Sequence, residues 1–116
     1  MSQYAEWFKK RTGGKAPYEW QRVLAEQPQC RNRMIRIPTG MGKTLGVLGA
    51  WLYHRVEPNE GIWPRRLVWC LPMRTLVEQT VEEVRQAVLG LDVSVHAVMG
   101  GEDVGEWHLY PEKQAV

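Results

Sequence analysis

Cysteine is scarce, charge of one sign does not dominate, and long apolar runs are missing; each shortage removes a class of protein. The two cysteines, Cys30 and Cys70, form no CxxC pair and have no Cys/His spacing suited to zinc, so a structural metal site is not expected. Cys70 lies in an apolar run and is expected to be a buried thiol. The first ten residues have no continuous apolar stretch, which argues against a signal peptide. No segment is long and apolar enough to span a membrane, so the expected location is cytoplasmic. His54, His96 and His108 are isolated from partners at ligand spacing, and there is no His-Asp doublet of the kind a metal-dependent nuclease would use. Repeats and low-complexity tracts are absent.

What is present is an ordinary globular composition. The apolar fraction is 44%, which excludes wholesale disorder, and 116 residues suffice for one compact domain. Six Trp and four Tyr are many for this length and are expected either in the core or on a covered surface. A net charge of +2 neither requires nor excludes a polyanion, because a local patch can act where a global excess does not. The basic residues gather at Lys9, Lys10, Arg11 and Lys15, then at Arg31, Arg33 and Arg36, runs that more often than not are solvated faces.

The chain alternates helical and extended signals. Ser2 is placed to cap a helix over residues 3–11, broken by Gly13-Gly14. Pro17 is expected to start a second helix running to Ala25. Residues 33–37 read as a short strand, and residues 44–55 as a helix apolar on nearly every side. Gly46 and Gly49 share a face of that helix and would admit a neighbouring strand. A loop is expected over residues 58–64. The apolar run 66–71 reads as a strand covered on both faces. Residues 75–89 form an amphipathic helix pattern, with Leu76, Val77, Val81, Val84 and Val88 on one stripe. A third strand is expected over 93–99, closed by Gly100-Gly101. Strand–helix–strand–helix–strand with right-handed crossovers predicts an α/β fold with parallel strands and flanking helices.

The strongest chemical signal is Pro38-Thr39-Gly40-Met41-Gly42-Lys43-Thr44, set between an expected strand and an expected helix. Glycines let backbone N–H groups turn toward an anion, and the helix N-terminus favours negative charge. Lys43 would meet the β- and γ-phosphates of ATP, and the Thr44 hydroxyl would serve Mg²⁺. The strict phosphate-loop spacing requires a glycine where Ile37 stands. Upstream, the Gln21 carboxamide offers a donor and an acceptor suited to the adenine N6/N7 edge; read alone, it is an exposed helix residue. Tyr18 or Phe8 could cover the base face. Arg74 and Thr75, between an expected strand and helix, are placed to hold a nucleic-acid phosphate, although an N-cap and a surface charge would look the same. Gly100 and Gly101 repeat that arrangement, with a plain turn as the competing reading.

Several of these segments resemble superfamily 2 helicases: the Gln motif (Tyr18-Glu19-Trp20-Gln21), motif I (residues 37–44) and motif Ia (residues 71–79). The wording is closer still to the helicase–nuclease of type I CRISPR systems, in its I-U or I-G branch. It is carried by Thr12-Gly13-Gly14, Trp63-Pro64-Arg65-Arg66, Met99-Gly100-Gly101-Glu102 and Trp107-His108-Leu109-Tyr110-Pro111-Glu112. The resemblance implies a partial RecA-like P-loop domain, with N-terminal helices and the Gln motif over residues 1–30 and the first half of the ATP-binding domain over 31–116. It implies Mg-ATP as cofactor, single-stranded DNA as track, a guide-RNA surveillance complex as recruiting partner, and no membrane.

The same resemblance implies parts that this sequence does not contain. The Asp-Glu-x-His box has no counterpart: Glu82-Glu83 lies mid-helix, and Glu102-Asp103 follows a glycine pair instead of an apolar strand. The second motor domain, its arginine finger and the nuclease are also missing from these residues. The expectation is a helicase fragment with little ATP hydrolysis of its own and with unpaired sheet edges. Two other readings compete. One is a non-catalytic module binding nucleotide or single-stranded DNA, assembling with a separately encoded remainder; the other is a small P-loop kinase, for which no acceptor site or catalytic base is evident.

Overall fold

The computed structural model describes residues 2–56, 63–98 and 114–116, so the expectations for most of the 58–64 loop, Met99, Gly100, Gly101 and residues 102–113 lie outside the described residues. The chain divides into two compact units, Met1–Trp63 and Pro64–Val116. The first holds helices α1 (Gln3–Arg11), α2 (Glu19–Ala25) and α3 (Lys43–Arg55), and the second holds α4 (Arg74–Ala87).

Helix α1 forms where the sequence supplies both ends. Ser2 is extended, and its Oγ accepts the Ala5 N–H at 3.1 Å, a cap contributing about 1 kcal/mol. Lys9, Lys10 and Arg11 occupy the last turn, where the helix dipole favours cations. The helix ends at Thr12, whose hydroxyl donates to the Phe8 carbonyl at 2.8 Å; Gly13 and Gly14 then turn the chain away at φ +73° and +110°. Tyr4, Ala5 and Phe8 form its buried face.

Helix α2 begins at Glu19 and not at Pro17, with Tyr18 extended as its N-cap. The cause is a side chain: Gln21 Oε1 accepts the Tyr18 N–H at 2.8 Å, one half of a capping box, and fixes the N-cap one residue past the proline. Arg22 ties Glu19 to Glu26 along the exposed face and holds the Glu19 carboxyl below the usual carboxylate range through its hydrogen bond.

Helix α3 is buried from several sides, with Gly46, Leu48, Gly49, Ala50, Trp51, Leu52 and Tyr53 all inaccessible, as its apolar pattern requires. Its two glycines, however, receive helices instead of a strand. A Cβ at Gly46 would lie 2.5 Å from the Trp20 ring and 2.8 Å from Gln21 Cγ, and one at Gly49 would lie 3.0 Å from the Tyr4 hydroxyl. Around this contact the aromatics form the core. Tyr53 meets Tyr4 edge-on at 5.1 Å and Trp7 at 5.4 Å, and His54 stacks flat on Trp63 at 4.5 Å. The His54 Nε2 also bonds the Ala25 carbonyl, which can only accept, so that nitrogen carries the proton and the histidine is structural. The Tyr4 hydroxyl is buried with no hydrogen-bond partner among the described residues, and burial, with Tyr53 beside it, pushes its ionisation well upward.

In the second unit, α4 spans nearly the expected residues, but its N-cap is Met73 and not Thr75. Val84 is its buried residue, and Val88 just beyond is also buried, while Leu76 remains 37% exposed. The short segment 114–116, which carries no element signal in its residues, lies between residues 65–67 and 94–96. Ala115 forms parallel bridges to both Arg66 and Ser94. Five backbone bonds of 2.9–3.2 Å hold this arrangement, among them Leu67 N–H to Ala115 O and His96 N–H to Val116 O. A cavity of about 390 Å³ separates Val77, Val81 and Val84 of α4 from residues 66–71, 95–98 and 115–116.

The three expected strands therefore do not form ladders among the described residues, and the parallel character survives only as these bridges. A strand exists through its neighbours. Residues 33–37 have no such neighbour among the described residues, and Met34 is 83% exposed. Likewise Val68 is 74% exposed and Cys70 is an exposed free thiol, against the expectation of a run covered on both sides.

Two outcomes test this packing. Gly46→Ala is expected to lower stability in urea unfolding by about 1 kcal/mol or more, because overpacking against Trp20 and Gln21 exceeds the gain in helix propensity. Gly49→Ala, opposed by one hydroxyl, should cost less. The raised Tyr4 ionisation stabilises the fold fully below the unfolded phenol value of about 10 and is lost as pH rises above it. Thermal melts should accordingly fall between pH 8 and 11, with a smaller fall in Tyr4→Phe.

Candidate functional site

The phosphate-loop segment runs into the N-terminus of α3. Pro38, Thr39 and Gly40 are exposed, Met41 and Gly42 are half-buried, Lys43 is the exposed first residue of the helix, and Thr44 is half-buried behind it. Gly40 and Gly42 both have positive φ, +86° and +71°, on either side of Met41. Side chains rarely adopt this region, so the two glycines are required by conformation. Gly42 is the N-cap of α3, and the first intrahelical bond runs from the Gly46 N–H to its carbonyl at 2.8 Å. The N–H groups ahead of Gly46 have no partner within the helix.

Helix α2 holds this loop from one side. The Trp20 Nε1–H donates to the Met41 carbonyl at 3.0 Å, and the Gln21 Nε2 donates to the Gly42 carbonyl at 2.9 Å. Gln21 is 2% exposed, which excludes the reading of an exposed helix residue. The orientation of its amide is determined twice over: the Tyr18 N–H can only donate and must face Oε1, while the Gly42 carbonyl can only accept and must face Nε2. The amide is thus used inside the protein, and its burial leaves it no open face toward a ligand in this arrangement.

Of the two aromatics considered for a base face, Phe8 is buried beside Tyr4 in the aromatic core. Tyr18 is 46% exposed, and its ring lies 3.6 Å from the position a Gly42 Cβ would take. The sequence therefore brings Tyr18, Gln21 and the loop together in one unit. The motif spacing assigns no role to Trp20; the signal it does carry is that an indole N–H, when partly buried, needs an acceptor.

In the second unit, Arg74 opens α4 on its exposed surface, with its Nε 3.5 Å from Glu78 Oε1, and Thr75 is exposed in the first turn. Neither holds a cap. No group of three or more His, Cys, Asp or Glu at metal-binding distance occurs among the described residues, and no helix among them is long and apolar enough to cross a membrane.

Gly42→Ala should separate the two demands on that position. Gly13 has nearly the same φ, +73°, but nothing within 4 Å, so Gly13→Ala carries only the backbone penalty of about 1–2 kcal/mol. At Gly42 the new methyl would also lie 2.6 Å from Gln21 Nε2, and chemical denaturation should show a loss larger by about 1 kcal/mol or more.

The sequence that builds this site has parallels in known proteins. The DEAD/DEAH box helicase profile matches residues 19–110, starting at α2 and running through the loop. The DEAD-box ATP-dependent RNA helicase CshC of Bacillus cereus is 35% identical over 86 residues, which cover 74% of this chain and 19% of the relative. The chain thus spans about a fifth of that relative's length. No solved structure matches the chain. Family membership implies a RecA-like fold and, as is general for these proteins, the use of ATP with Mg²⁺. With its Gln21-anchored loop inside a match that covers most of its length, the chain belongs to the DEAD/DEAH box helicase family.

Proposed function

We propose that these residues form the nucleotide-binding front of a helicase motor domain, residues 1–30 contributing the Gln motif and residues 31–116 the first half of the ATP-binding domain. The observation that carries this reading is the end of α3: two glycines at positive φ, unpartnered N–H groups and an exposed lysine at one helix N-terminus. Those groups fit a polyphosphate in charge and in hydrogen-bond type. Lys43 would neutralise the β- and γ-phosphates, the N–H groups of residues 40–44 would donate to their oxygens, and Thr44 would offer its hydroxyl to a Mg²⁺ carried by the nucleotide. The exposed ring of Tyr18 would cover the base, and Gln21, buried between Tyr18 and Gly42, would serve the nucleotide by holding the loop, an adenine contact through its amide requiring the start of α2 to open. Bound Mg²⁺ supplies charge neutralisation. The residues here bind and orient, and no Asp-Glu-x-His box stands among them to activate water.

The polynucleotide is the finer part of the proposal. The CRISPR-type phrases favour single-stranded DNA, a guide-RNA surveillance complex as recruiter and a separately encoded remainder as partner. The named relative is an RNA helicase, which makes single-stranded RNA the competing track. Arg74 and Thr75, with Gly100 and Gly101 outside the described residues, are the proposed phosphate contacts.

A thermal melt with and without Mg-ATP tests the nucleotide reading. The midpoint should rise with Mg-ATP, because a ligand bound only by the folded state stabilises it, and the rise should vanish in Lys43→Ala. A rise unchanged by Lys43→Ala would place the nucleotide elsewhere. Binding of single-stranded DNA and RNA of equal length, measured across salt concentrations, decides the track; a contact through Arg74 predicts a shallower salt slope in Arg74→Ala.

A further inference from the structure

Resting on the phosphate-loop reading above, we propose that Trp20 is a positioning residue for the nucleotide phosphates, acting with Gln21 as a two-point clamp on the loop backbone. A trans peptide unit is planar, and its C=O and N–H point in opposite directions. The Met41 carbonyl belongs to the same unit as the Gly42 N–H, and the Gly42 carbonyl to the same unit as the Lys43 N–H. Trp20 Nε1 holds the first carbonyl at 3.0 Å, and Gln21 Nε2 holds the second at 2.9 Å. With both carbonyls drawn toward α2, the N–H groups of Gly42 and Lys43 are turned away from it, toward the side on which the loop is open.

Three further observations make the clamp rigid. The Gly42 carbonyl also accepts the Gly46 N–H at 2.8 Å, so both of its lone pairs are engaged. The Trp20 ring lies against α3 at Gly46, where a Cβ would come within 2.5 Å of it, so the indole is seated on the helix that the loop caps. Glycine at 42, at φ +71°, permits the peptide sequence to reverse there without a side chain striking Gln21. The clamp needs no nucleotide to form. It pre-orders N–H groups that an anion would otherwise have to order on binding.

Trp20→Phe keeps an aromatic ring against Gly46 and removes the donor. Two measurements on the full chain test the proposal. In the nucleotide-free state, the Trp20 indole N–H is identified by NMR as the signal lost in Trp20→Phe, and it should exchange with solvent roughly tenfold or more slowly than an exposed indole. By calorimetric titration, Trp20→Phe should weaken MgADP roughly two- to tenfold, the loss expected for one hydrogen bond, and leave adenosine unchanged. An indole exchanging at the free rate overturns the clamp whatever the chain binds. Equal losses for MgADP and adenosine, or no loss for either, overturn the positioning role. If the unsubstituted chain binds neither ligand, the nucleotide reading fails, while a protected indole still supports the clamp.

Discussion

The primary amide of Gln21 lies where water does not reach, and a buried amide must find its hydrogen bonds within the protein or cost about 1–3 kcal/mol for each polar group left unpaired. It finds them on two backbones at once, the Tyr18 N–H at the start of α2 and the Gly42 carbonyl at the start of α3. Much of the first unit follows from that bridge. It sets where α2 begins, it places Trp20 beside Met41, and it leaves no room for a side chain at Gly42 or Gly46. The glycine loop at the start of α3 is thus organised from behind by a helix that precedes it in sequence.

The two units satisfy their apolar residues differently. In the first, rings from α1 and α3 interlock with Trp63, and the small residues of α3 allow the helices to approach closely. In the second, the valine stripe of α4 faces residues 66–71 and 95–98 across a cavity of about 390 Å³. Among the described residues α4 buries Val84 alone, against seven residues of α3, although its sequence pattern is the more regularly amphipathic.

Local chemistry was legible in the sequence and tertiary pairing was not. The Ser2 cap, the Gly13-Gly14 break, the end of α2 at Ala25 and the many-sided burial of α3 all follow from residues within a few positions of one another. The start of α2 was misplaced because proline's preference for a first turn was weighed without the Gln21 side chain reaching back to Tyr18. The strands at 33–37, 66–71 and 93–99 were read from apolar runs, which report the wish for burial but not the presence of a neighbour; Met34, Val68 and Cys70 are exposed accordingly. The bridging role of Ala115 carries no local signal at all. At the site, glycine spacing revealed the loop, but the grip of Trp20 and Gln21 on consecutive carbonyls depends on a contact between segments some twenty residues apart.

The central claim is that the Gln21 amide joins the two helix starts, and the equilibrium stability of Gln21→Leu tests it with no ligand required. Leucine matches the volume approximately and removes both bonds, leaving the Tyr18 N–H without its acceptor and the Gly42 carbonyl with the Gly46 N–H alone. Urea unfolding should show a loss of about 1–3 kcal/mol relative to the unsubstituted chain. A change below about 0.5 kcal/mol, the range of an ordinary surface substitution, would contradict the claim.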